Sequence, residues 1–140
     1  MANVGAVFWG ALAGALIAVG GAPLELSFLT LLALAALLVA LTPRGDPASS
    51  GRAVLAGLSM GVTTQAISMY WIVGLLTHFG GFPLVLALAV GMLLFIGQSL
   101  AYVVAAGLGS ALLRSGAPGW LAVPAMLTVA ASVSTAMFPW

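Results

Sequence analysis

The chain has 140 residues, 64% of them hydrophobic and 4% charged, with a formal net charge of +1 and no cysteine. A soluble domain carries about 25% charged residues, so this composition excludes a water-covered globular surface and points to a membrane protein. Three arginines and no lysine exclude a nucleic-acid face or a polybasic headgroup patch, and the lack of Cys excludes disulfides, thiolate metal sites and a cysteine nucleophile within these residues.

The five charges, Glu25, Arg44, Asp46, Arg52 and Arg114, leave the uncharged stretches 1–24, 26–43, 53–113 and 115–140. A helix needs about 20 apolar residues to cross the hydrocarbon core, so each stretch can hold at least one span. The expected class is all-α: one polytopic helical module over 1–140. Span one covers 4–20 and closes at Gly20, Gly21 and Pro23. No Lys or Arg follows Met1 before it, so it reads as a retained span and not a cleaved signal peptide. Span two covers 24–41 and closes at Thr42-Pro43, before the polar loop that holds Arg44, Asp46 and Arg52. As one helix the 53–113 stretch would run about 90 Å, three times the bilayer core, so it must fold back. Its breaker cluster, His78-Phe79-Gly80-Gly81-Phe82-Pro83, divides it into span three over 53–76 and span four over 84–113. A turn at Gly116–Gly119 leads to span five over 120–137.

Charge placement supports five spans. With a cytoplasmic N-terminus, the 42–52 loop and the 114–119 turn are cytoplasmic and hold all three arginines, while 20–23, 77–83 and the C-terminus are periplasmic.

Few residues could carry chemistry. Glu25 stands in the first turn of span two, where a carboxylate complements the helix dipole; an intramembrane ion or proton site is the sharper alternative. His78 has no carboxylate or Cys companion and reads as an interface residue sooner than a ligand. Tyr70 and Trp71 suit an interfacial aromatic anchor. Gln65 and Gln98 lie near the middle of spans three and four and could bond across helices. Gly10-x-x-x-Gly14 and Gly57-x-x-x-Gly61 let helix backbones approach closely, though the pattern arises easily in an Ala/Gly-rich chain. One His and two carboxylates far apart in sequence predict no metal and no cofactor.

Motif order adds a further reading. Tyr70-Trp71-Ile72, followed by His78-Phe79-Gly80-Gly81-Phe82-Pro83, resembles the third-span and outer-loop signature of apolipoprotein N-acyltransferases, roughly Tyr/Asn-Trp-Ile/Val and then F-G-G-x-P. Ala22-Pro23-Leu24 falls where that family has its first hairpin. An Arg-containing loop precedes span three, Pro124-Ala125-Met126-Leu127 resembles the P-A-L-W opening of span five, and Phe138-Pro139-Trp140 matches the G-F-P-W that follows. The interval Thr128–Met137 lacks the acidic residue and the Arg that the family has there.

The resemblance implies a multi-pass protein of the bacterial inner membrane. It implies partners too: membrane phospholipid, and a nitrilase-like catalytic partner or the remainder of the enzyme, through which a lipoprotein substrate is met. In the family that domain uses a Glu-Lys-Cys triad, for which this chain has neither Lys nor Cys. The chain is therefore expected to be a truncated or split membrane module, inactive alone, with no catalytic residue of its own. Tyr70, Trp71, His78, Phe79, Gly80, Gly81, Pro83, Phe138, Pro139 and Trp140 are its motif and lipid-facing candidates. A small membrane scaffold or assembly protein stays open as an alternative. A transporter fragment ranks below it, because the midplane offers Gln, Ser and Thr but no ionisable group.

Overall fold

The computed structural model describes residues 2–21, 26 and 28–137. All regular structure among them is helical: α1 (Ala2–Gly20), α2 (Phe28–Leu41), α3 (Ser50–Ser68), α4 (Trp71–His78), α5 (Leu84–Arg114) and α6 (Gly119–Met137), with one 3-10 turn at Pro43–Gly45. Helices α1, α5 and α6 are long and apolar enough to cross a membrane, and α2 is a shorter apolar helix. At 1.5 Å per residue the 31 residues of α5 span about 45 Å, which covers the core and both headgroup layers.

The packing follows small residues, as it must where the surrounding lipid is as apolar as the helices and close approach supplies the contact energy. α1 lies beside α3 in the same direction. A Cβ at Gly10 would fall on the Ala56 carbonyl oxygen, and one at Gly14 on the Met60 carbonyl oxygen. α3 lies on α5 in the opposite direction, where a Cβ at Gly57 would sit 2.6 Å from the Tyr102 carbonyl oxygen and one at Gly61 2.8 Å from Ser99 Cα. α6 folds back along α5 with Met126 over Gly109, and Gly119 meets Leu38 of α2. The neighbours thus run α2, α1, α3, α5, α6, and α2 touches α6 to close the ring. Leu37, Leu41, Met60 and Met126 fill its centre, with Ala at most remaining buried positions.

Buried hydroxyls take helix carbonyls as partners. Ser99 donates to Phe95 at 2.6 Å, and Thr64 donates to Met60 at 2.9 Å and across to Gly14 of α1 at 3.2 Å.

The expected third span, 53–76, needs correction: it is two helices. α3 ends where Met69 N–H bonds the Gln65 carbonyl, and the next bonds, Ile72 to Met69 and Val73 to Tyr70, follow the tighter i→i+3 spacing. Neither Gly nor Pro stands at the break. Tertiary contact re-aims the chain: Gln65 packs on Gln98, Val73 packs over Gly91, and the buried Phe95 lies between those two α5 positions.

Candidate functional site

The α4–α5 segment gathers most of the motif residues. Tyr70 and Trp71 open α4 and are exposed, Tyr70 to 73%. His78 closes it, and its Nδ1 lies 2.8 Å from the Gly74 carbonyl oxygen and 3.1 Å from Thr77 Oγ1. A carbonyl only accepts, so Nδ1 carries a proton, and in the neutral tautomer this selects the lone pair lies on Nε2. Thr77 in turn donates to the Val73 and Gly74 carbonyls.

The turn after α4 is built by its glycines. Gly81 has φ +64°, a left-handed conformation that a side chain resists, and a Cβ at Gly80 would sit 2.7 Å from the Leu76 carbonyl oxygen. Phe82 N–H folds back to the same carbonyl at 3.1 Å. Pro83 then stands at the N-cap of α5, where its missing N–H costs no helix bond. This geometry leaves Phe79 88% exposed, with Leu84 and Val85 exposed beside it. Apolar side chains held outward like this suit a lipid or protein neighbour, not water.

Gln65 and Gln98 form the polar bridge between α3 and α5. Gln65 Nε2 donates to Gln98 Oε1 at 2.7 Å, Gln98 Nε2 donates to Met69 Sδ at 3.5 Å, and both side chains are buried. The opposite end of the bundle holds the arginines. Arg114 Nη1 donates to the Ala48 carbonyl at 3.0 Å and to Ser110 Oγ at 2.7 Å, while Ser110 donates to the same carbonyl at 2.9 Å. Arg52 lines a cleft with Pro43, and Arg44 belongs to the adjoining 3-10 turn. Sequence reasoning passed over this clamp, although Ser110 and Arg114, four apart on one helix, share a face. Glu25 and the motif residues Ala22-Pro23-Leu24 and Phe138-Pro139-Trp140 lie outside the described residues. Among the described residues no group of three His, Asp or Glu side chains could hold a metal ion.

The family model of the apolipoprotein N-acyltransferase N-terminal domain matches residues 13–140. The chain belongs to that family. No curated protein and no solved structure matches it. Within this N-acyltransferase N-terminal domain the match takes in α2 to α6 and so the whole Tyr70–Pro83 segment, while Gly10 precedes it.

Proposed function

We propose that the chain is the membrane module of an acyl-transfer system of the bacterial inner membrane, one that moves an acyl chain from a phospholipid to a lipoprotein. The family match over 13–140 is the observation that carries this reading. The module spans the membrane five times with its N-terminus in the cytoplasm, which places the arginine end inside and the Phe79–Pro83 turn outside.

The covalent steps need a thiolate. It attacks the phospholipid ester carbonyl, the lysophospholipid leaves as an alcohol after taking a proton, and the resulting thioester is then attacked by the lipoprotein's terminal amine, which releases the thiol. With no Cys and no Lys here, the thiolate and its activating groups come from a nitrilase-like segment outside these 140 residues. The chain's own part is to anchor that segment and to offer lipid an entry at the α4–α5 edge, where Tyr70, Trp71 and Phe79 point outward. His78, with Nδ1 engaged at Gly74, can accept a hydrogen bond from a headgroup on Nε2.

Co-purification tests the pairing. An affinity-tagged chain expressed with a fragment carrying the remaining spans and the nitrilase-like domain retains that fragment through detergent extraction. Loss of the fragment on washing would instead favour a separate scaffold.

A further inference from the structure

We propose that the groove between α1 and α2 binds an anionic phospholipid, with its phosphate at Arg52 and one acyl chain along the groove. This site stands at the end of the bundle opposite the Phe79–Pro83 turn and does not depend on the acyl-transfer reading.

Two clefts join to make it. One, of about 230 Å³, is lined by Ala6, Trp9, Val39, Ala40, Pro43 and Arg52. The other, of about 420 Å³, is lined by Trp9, Leu12, Leu16, Leu32, Ala36 and Val39. Trp9 and Val39 belong to both, so the clefts run into each other. The lining residues fall in antiparallel order, Trp9 with Val39, Leu12 with Ala36 and Leu16 with Leu32, so the groove follows the two helices lengthwise. From Gly5 to Leu16 it extends about 17 Å at 1.5 Å per residue, close to half the thickness of the hydrocarbon core, which is the depth of one leaflet.

Its two ends differ in chemistry. Beyond Trp9 every lining side chain is apolar, while the mouth carries the guanidinium of Arg52. Guanidinium matches phosphate in shape and charge, and an indole at the boundary suits the glycerol level of a lipid. A choline or ethanolamine cation would offset the attraction between phosphate and Arg52, so an anionic headgroup is favoured over a zwitterionic one. A free anion would use the mouth and leave the apolar length unexplained. A phospholipid uses both.

The test uses the full chain in phosphatidylcholine nanodiscs, with Trp71, Trp120 and Trp140 changed to Phe so that Trp9 alone fluoresces. Phosphatidylglycerol with brominated chains should quench Trp9 with about fivefold higher apparent affinity than brominated phosphatidylcholine, since both offer a phosphate but only the first keeps a net charge for Arg52, worth about that factor. Arg52→Gln should erase the preference, Val39→Phe should reduce quenching by both lipids, and Arg114→Gln, an equal loss of charge outside the groove, should keep it. Native mass spectrometry of the unaltered chain should retain a phosphatidylglycerol adduct that Arg52→Gln loses while its helicity is unchanged. Equal quenching by the two lipids, a preference that survives Arg52→Gln, or displacement of the lipid by inorganic phosphate would overturn the proposal.

Discussion

Gln65 on α3 and Gln98 on α5 join their buried amides across 2.7 Å, Gln65 Nε2 donating to Gln98 Oε1. Gln98 spends its own donor on Met69 Sδ, at the point where α3 ends and α4 sets off in a new direction. The bridge therefore sits behind the outward placement of Tyr70 and Trp71.

Replacing one partner strands the other. Gln98→Leu should lower stability in detergent by about 1–2 kcal/mol, the range for interhelical amide bonds and for a buried amide left unmade. The double variant Gln65→Leu with Gln98→Leu should lose less than the sum of the singles. Thermal unfolding followed by circular dichroism measures both, and strictly additive losses would mean that the amides act independently.

The glycines divide by surroundings. Gly61→Ala drives a Cβ to 2.8 Å from Ser99 Cα, whereas at Gly107 nothing lies within 4 Å. Gly61→Ala should cost about 1–3 kcal/mol, the range for overpacking, and Gly107→Ala should be neutral or gain up to about 1 kcal/mol from helix propensity. Equal shifts in melting temperature would show that α3 and α5 are not in backbone contact at Gly61.

Orientation is testable in this Cys-free background. Ser50 and Phe79 are both exposed, at opposite ends of the bundle. An impermeant thiol reagent should label Phe79→Cys in intact cells and Ser50→Cys only after permeabilisation. The reverse pattern would contradict the placement of the arginines inside.

The turn after α4 demands a left-handed residue at Gly81. Gly81→Ala should cost about 1–2 kcal/mol, while Gly81→Asn, which visits that conformation more readily, should cost less. Denaturant unfolding compares the two.

Much of this architecture is legible in the sequence because breakers and charges mark it. Gly20, Gly21, Pro83 and Arg114 bound α1 and α5, and the polar stretch around Asp46 separates α2 from α3. The break at Met69–Tyr70 is not legible, since no Gly or Pro announces it and it arises from where Gln65 and Val73 meet α5. The same holds for the groove at Trp9 and Arg52. It exists only once the register of α1 against α2 is fixed, and nothing in either helix alone records that register. Gln65 and Gln98 can be picked out as mid-helix amides, but their facing one another depends on the Gly57 and Gly61 contacts that set the approach of α3 to α5.

Lipoprotein acylation tests the central claim most directly. In membranes depleted of endogenous N-acyltransferase, the chain is supplied alone, with a catalytic fragment carrying the nitrilase-like domain, or not at all. The mass of a diacylated lipoprotein is then read. The account predicts no change with either piece by itself, since the chain has no thiol to form a thioester, and a gain of one acyl chain when both are present. Conversion by the 140-residue chain alone, or equal conversion by the fragment with and without it, would contradict the account.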